Sequence, residues 1–317
     1  MSEAAGSRVL VMHPVLDPAP ALLEEAGCEV LEYPDGRPLT EAAIREAVET
    51  GGCQGILSQV MDPIRETVLS TPGLEVVANV AVGFDNIDVP AATRHGVMVT
   101  HTPGVLTDTT ADCAFALMMA AARRVAEGDR FIRTGRFDGW AIDMLLGQDV
   151  WGATLGLVGV GRIGGAVALP ADVERELGAT RVELDALLAE ADFVSLHVPL
   201  TPDTHHLISG PQLARMKRSA VLVNTSRGQV VDEAALAAAL QDGQIFAAGI
   251  DVFEREPQIH PDLLGLDNVV LTPHIASGSV RTRSEMCVLA VRNLLAGLAG
   301  ERPSNLLNPD VLDVLGR

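Results

Sequence analysis

Lysine is almost absent from this chain. Lys217 is the only one in 317 residues, so nearly all positive charge is arginine, which reads as a composition bias without functional meaning. Positive charge of either kind is scarce: 23 Lys+Arg stand against 42 Asp+Glu, a formal net charge of −19. So acidic a surface repels phosphate backbones and anionic lipid, which argues against nucleic acid and membrane surfaces as partners. Long apolar runs are missing too. The longest, Cys113 to Ala122, lies between Asp112 and Arg123 and falls far short of the ~20 residues that cross a bilayer. The four cysteines (Cys28, Cys53, Cys113, Cys287) form no C-x-x-C pair and suit free thiols in a reducing cytosol. Met1 to Arg8 carries no basic region followed by an apolar run, so no signal peptide is expected. There is no H-E-x-x-H and no G-x-S-x-G, and adjacent His205 and His206 are expected to point apart; no metal site is expected, and the commonest serine-hydrolase reading falls away.

What is present is ordinary for a globular chain: 48% hydrophobic and 21% charged residues, with a length that suits about two domains of roughly 150 residues each. Short apolar strands at Val9–Met12, Glu29–Glu32, Gly55–Leu57, Val76–Asn79 and Val97–Thr100 alternate with helical stretches at Ala19–Ala26 and Glu41–Thr50. Thr40 is a plausible N-cap of the second helix, and Gly51 and Gly52 end it. Thr109–Val125 reads as one long helix, apolar on every side and therefore buried on every side. Gly135–Asp149, with Trp140, reads as a surface arm. A second series follows, with strands at Thr154–Val160, Asp192–Val198, Val221–Asn224, Ala247–Val252 and Val269–Leu271, a helix Glu233–Gln241 capped by Asp232, and a last helix from about Thr282 to Leu298. Strands spaced by helices imply parallel α/β sheets.

Gly159-Val160-Gly161-Arg162-Ile163-Gly164 is a G-x-G-x-x-G between a strand and a helical stretch. In that context the glycines allow a tight turn and close approach of a pyrophosphate, whose charge meets N–H groups at the helix start. The adenosine ribose then wants an acid about 20 residues further on, at the end of a second strand. Asp185 stands there if Ala166–Leu177 is the helix and Thr180–Leu184 the strand. Pro170 would break that helix, and Asp185 reads equally well as the N-cap of a helix Ala186–Ala191.

Three groups follow the later strands directly: Arg227 after Val221–Asn224, Asp251 and Glu256 after Ala247–Ile250, and His274 after Val269–Leu271. Ligands of open parallel sheets bind beyond the carboxyl ends of the strands. Arginine there can grip a carboxylate with two parallel hydrogen bonds, histidine can donate a proton near neutral pH, and a neighbouring glutamate favours the imidazolium and fixes its orientation. Reduction of a 2-oxo acid by a hydride needs this set. Taken singly, each residue has a plainer use: a structural histidine, a surface arginine, and solvated acids at Glu254 and Glu256.

Across nearly its whole length the chain resembles the D-isomer-specific 2-hydroxyacid dehydrogenases, most closely their glyoxylate/hydroxypyruvate reductase branch. The likeness is carried by Val80-Ala81-Val82-Gly83-Phe84-Asp85-Asn86-Ile87-Asp88, Thr102-Pro103-Gly104-Val105-Leu106-Thr107-Asp108, the glycine turn, Val223-Asn224-Thr225-Ser226-Arg227-Gly228, Gly249-Ile250-Asp251-Val252-Phe253-Glu254-Arg255-Glu256-Pro257 and Thr272-Pro273-His274-Ile275-Ala276-Ser277. The resemblance implies two doubly wound parallel-sheet α/β domains: a flavodoxin-like substrate domain of residues 1–102 and 279–317, and a Rossmann dinucleotide-binding domain of residues 103–278. It implies that His274 is the acid/base, Glu256 its carboxylate partner and Arg227 the group that binds and polarises substrate, with backbone N–H groups of Val82 and Gly83 on the substrate carboxylate. It implies NAD or NADP as cofactor, lined by Thr110, the turn from Gly159 to Gly164, Pro199, Thr204, Thr225, Asp251 and Ser277. It also implies a cytoplasmic homodimer in which the long helix and the arm pack on the partner, Trp140 reaching the other subunit's pocket. Other readings stay open: a phosphoglycerate dehydrogenase-like enzyme, or a non-catalytic dehydrogenase-like binding module.

The sequence departs from the family at one place. Ala166-Val167-Ala168 runs straight into Leu169-Pro170-Ala171-Asp172-Val173-Glu174, so roughly 20 residues, the rest of the helix and the second strand, are missing. Three explanations stand. The segment belongs to the intact protein, whose mass would then exceed 33.4 kDa. Or Thr180–Leu184 substitutes for the strand and Asp185 reads the ribose. Or the loss is genuine and impairs cofactor binding.

Overall fold

The computed structural model describes residues 4–35, 39–168 and 179–317. It divides into two compact units, Met1–Leu106 with Ser279–Arg317, and Thr107–Gly278.

The first unit holds β1 (Arg8–Val11), β2 (Glu29–Glu32), β3 (Gly55–Ser58), β4 (Val76–Asn79) and β5 (Met98–Thr100), all parallel, in the order β2-β1-β3-β4-β5. Successive side chains of a strand face opposite ways, and both faces are covered. Val9, Val11, Leu57, Val76, Ala78 and Met98 pack on the helix Val280–Leu298. Leu10, Ile56, Val77 and Val99 meet Ile44 and Val48 of the helix Glu41–Gly51 on the other side. Thr40 caps that helix through Ala43 N–H, and Gly52 ends it in the left-handed region at φ 59°.

The second unit holds β6 (Leu155–Val158), β7 (Phe193–Leu196), β8 (Val221–Asn224), β9 (Ala247–Ile250) and β10 (Val269–Leu271), also all parallel. Their order, β10-β9-β8-β7-β6, places β6 at the edge. Among the described residues the sheet winds one way from β6. Asp192, just before β7, accepts from Thr154 N–H (2.9 Å), just before β6, and from Lys217 Nζ (2.8 Å). The lysine first, then the amide, hold this carboxyl below the usual carboxylate range.

Several sequence expectations change here. The long helix is Thr107–Ala122; it stops before Arg124, which is left-handed at φ 53°, and a second helix runs Val125–Arg133. Arg124 holds this junction with two bonds to Glu127, 2.7 and 2.8 Å, a carboxylate that is itself buried. Nor is the first helix buried on every side. Its Ala111, Ala114, Leu117 and Met118 pack on the sheet, while Phe115 and Met119 are exposed. Thr180–Leu184 is not a strand: residues 179–183 are irregular and a helix runs Leu184–Glu190. Asp185 sits in its first turn, not at the N-cap, and pairs with Arg215 at 3.2 Å on the surface. The expected helix over Ala166–Leu177 lies mostly outside the described residues.

Candidate active site

Three turns beyond β8, β9 and β10 carry the acid/base candidates, and the second unit brings them together. His274 Nδ1–H donates to Glu256 Oε2 at 2.9 Å, and Glu256 Oε1 accepts from Phe253 N–H at 2.9 Å. Burial pulls the Glu256 carboxyl upward, but the His274 hydrogen bond and charge, the Phe253 amide and the nearby Arg227 charge outweigh it, leaving the group below the usual carboxylate range. Glu256 therefore stays ionised at neutral pH. Its contribution to stability is present above its ordinary range and is lost as pH falls.

His274 stands at φ 53°, a left-handed conformation uncommon outside glycine that histidine adopts more readily than most side chains. Its N–H donates to Asp251 O (2.9 Å) and Thr272 O (3.1 Å). The fully buried Asp251 carboxylate accepts from Thr272 Oγ1 (2.6 Å), Ile275 N–H (2.8 Å) and Ala276 N–H (2.8 Å). In this structure Asp251 anchors the loop that bears the histidine. Arg227 is fixed from below by Asn224, a buried residue not singled out in the sequence, whose side-chain amide donates to Arg227 O (2.9 Å) and accepts from Ser226 N–H (3.0 Å).

The glycine turn leaves β6 and enters the helix Arg162–Ala168. Gly159 has φ 94°, and a side chain there would strike the His197 carbonyl at 2.8 Å. A side chain at Gly164 would lie 2.1 Å from Gly159 O, whereas one at Gly161 would meet nothing within 4 Å. The turn is thus closed against the protein and open above Gly161. His197 lies beneath it. Burial drives its imidazole down to about 4, so it is neutral at pH 7, in contact with Ser195 Oγ at 2.9 Å. Thr204 Oγ1 donates to Pro199 O (2.6 Å) and shapes that turn. Thr225 Oγ1 is buried without a hydrogen-bond partner among the described residues. Thr110 is buried, and Val160 and Arg162 are exposed, with Ile163 and Ser277 half-buried.

In the first unit, Val82 and Gly83 follow β4, and a buried polar net holds their turn. Asn79 Nδ2 donates to Gly83 O (3.0 Å) and to Asn86 Oδ1 (3.3 Å), and Asn86 Nδ2 donates to Gln59 O and Asp62 O, both at 3.0 Å. Asp62, fully buried, also meets His13 Nε2 at 2.8 Å. That hydrogen bond, against the opposing effect of burial, raises the His13 pKa above its ordinary value. A raised pKa gives stability that is complete below the unfolded value of about 6.5 and is lost as pH climbs through the folded one. The melting advantage of wild type over His13→Gln should therefore be larger at pH 6 than at pH 9. An advantage that is flat or grows with pH would contradict this reading.

The family model described as D-isomer specific 2-hydroxyacid dehydrogenase, NAD binding domain, matches residues 115–172 and 169–276. The chain belongs to the D-isomer-specific 2-hydroxyacid dehydrogenases. A glyoxylate reductase of Korarchaeum cryptofilum is 52% identical over 302 residues, covering 89% of this chain and 90% of the relative. A Thermus thermophilus protein of known structure superposes with TM-score 0.85 at 44% identity, over 95% of this chain and 99% of that one. An NADPH-dependent glyoxylate/hydroxypyruvate reductase of Sinorhizobium meliloti, solved with NADP and malonate, does so with TM-score 0.80 at 32% identity, over 97% and 98%. The two stretches of this dehydrogenase that match the family model meet at 169–172, where the sequence reading placed the missing segment.

The residues present fit a dinucleotide: the turn has room above Gly161, and the orphaned Thr225 hydroxyl is the kind of buried polar atom that a ligand satisfies. Sequence reasoning missed Asn224, His197 and Gly228. The last follows Arg227 directly, and a side chain on it would lie 1.8 Å from the Phe253 carbonyl carbon. His205 and His206, expected to point apart, have ring centroids 4.2 Å apart, because His206 turns back at φ 50°. Among the described residues no group of three or more His, Cys, Asp or Glu side chains could hold a metal ion.

Proposed function

We propose that this dehydrogenase reduces a small 2-oxo acid, glyoxylate or hydroxypyruvate, to the D-2-hydroxy acid with NADH or NADPH. The observation that carries the reading is the His274–Glu256 pair with Arg227 charge beside it, on three turns at the carboxyl end of one parallel sheet. The nicotinamide, when bound, supplies the hydride to the carbonyl carbon. His274 gives the proton from Nε2 to the carbonyl oxygen, because Nδ1 is held by Glu256. Glu256 keeps the ring oriented through its hydrogen bond to Nδ1. Arg227 binds and polarises the substrate, and the backbone N–H groups of Val82 and Gly83 are assigned to the substrate carboxylate. Residues 103–278 act as the dinucleotide-binding domain, lined by Thr110, Gly159 to Gly164, Pro199, Thr204, Thr225, Asp251 and Ser277; residues 1–102 with 279–317 act as the substrate domain.

The test is oxidation of NADH and of NADPH by the purified protein with each oxo acid. Turnover that depends on the oxo acid is expected; none with either cofactor and either acid would overturn the reading. Titrating NADH against NADPH by fluorescence in the same preparation measures whether the cofactor site is functional despite the short glycine-turn helix. Arg227→Ala should lower kcat/KM roughly 10–150-fold, the value of one to two charge-assisted hydrogen bonds. An unchanged kcat/KM would remove Arg227 from the mechanism.

The same reading makes the protein a cytoplasmic homodimer, which the four free cysteines suit. Phe115, Met119, Val125, Ile132, Phe137 and Trp140 are exposed along the two consecutive helices and the arm that follows. A second copy would cover this surface. Light scattering should give twice 33.4 kDa.

A further inference from the structure

Glu254 has no part in the chemistry above, yet each of its polar groups is engaged by a different element. Its N–H donates to Oε1 of Glu233 (2.6 Å), a buried carboxylate at the start of the helix Glu233–Gln241 whose Oε2 accepts from His260 N–H (3.1 Å). Its C=O accepts from Gln229 Nε2 at 2.9 Å. Its carboxylate accepts from His206 Nε2, and the His206 N–H in turn donates to Gln229 O at 2.8 Å. Gln229 lies two residues after Arg227, and Glu254 two residues before Glu256. Between them Gly228 sits flat against the Phe253–Glu254 peptide, close enough that no side chain fits.

The ring His206–Glu254–Gln229 thus ties together the turn that carries the substrate-binding guanidinium and the turn that carries the carboxylate behind the acid/base. We propose that His206 and Glu254 are positioning residues: their hydrogen bond locks the Arg227 and Glu256 turns into one geometry, so that His274 and Arg227 face the oxo acid together. The proposal rests on the reading of the reaction given above. Constellations of this kind work only when held to about 0.5 Å, and a 1 Å misplacement costs on the order of a hundredfold in rate. Neither residue touches substrate or cofactor in this scheme, so their loss acts through Glu256 and Arg227.

The experiment compares Glu254→Ala with Glu254→Gln, which keeps an acceptor for His206 Nε2–H. Glu254→Ala should lower kcat at least tenfold with KM for the oxo acid and the cofactor dissociation constant within threefold of wild type. Glu254→Gln should restore kcat to within threefold. Hydrogen exchange of the peptide covering residues 251–257 should quicken in Glu254→Ala and not in Glu254→Gln. Should the alanine variant not fold, His206→Asn breaks the same bond from the other side, since asparagine tolerates the left-handed φ of 50°. Wild-type kcat in Glu254→Ala, or a loss as large in Glu254→Gln as in Glu254→Ala, would overturn the proposal. If wild type itself turns over neither oxo acid, the reaction assignment fails. The exchange measurement then decides the brace alone: quickening confined to the alanine variant supports it, and none overturns it.

Discussion

His274→Ala should lower kcat at least a hundredfold while leaving the cofactor dissociation constant close to wild type. A positioned acid/base group supplies about 10²–10⁴ in rate, and among the described residues His274 is the imidazole hydrogen-bonded to Glu256. The backbone contacts of residue 274, to Asp251 O and Thr272 O, survive the change, and the glycine turn is untouched. Alanine does carry a cost of about 1–2 kcal/mol in the left-handed conformation. His274→Asn is therefore the companion variant, because asparagine accepts that conformation and still lacks the proton. Both should be equally inactive, with the asparagine protein the more stable. Turnover within tenfold of wild type in either would remove His274 from the acid/base role.

The second large effect is expected at a residue without functional groups. Gly228→Ala would place a Cβ 1.8 Å from the Phe253 carbonyl carbon, 2.1 Å from its oxygen and 2.4 Å from Glu254 N. These are backbone atoms, so no side-chain rotation relieves the clash; one of the two turns must move. Overpacking of this kind costs roughly 3 kcal/mol. Because the turns carry Arg227 and Glu256, a shift near 1 Å should also cost about a hundredfold in kcat/KM. Thermal melting and steady-state kinetics check the two parts. An alanine variant that melts and turns over like wild type would show that the turns do not press together as described.

What the sequence made legible follows from where the information lies. Most of the parallel strands are buried and read as short apolar runs, and the ten described strands were found within a few residues. The charged residues Arg227, Asp251 and His274 were legible because each is the first ionisable group after its apolar run. The helix Thr107–Ala122 was overextended because its break falls on Arg124, an arginine in a conformation that usually announces itself with glycine. Glu254 passed for a solvated acid because its partners, His206, Gln229 and Glu233, come from separate elements and no local pattern joins them. The stacking of His205 on His206 depends on one backbone angle that composition does not encode. Asp185 stood at the spacing expected of a ribose-binding acid, but without a strand to carry it the same position opens a helix and meets Arg215.

The lysine that braces Asp192 beneath β6 and β7 carries the sole ε-amine in the chain. An amine-acylating reagent has one side chain to find, and its reaction there cancels the charge that steadies the foot of the second sheet. Acylation of Lys217 consequently tests what that single charge contributes to the second sheet, with no reporter group engineered in.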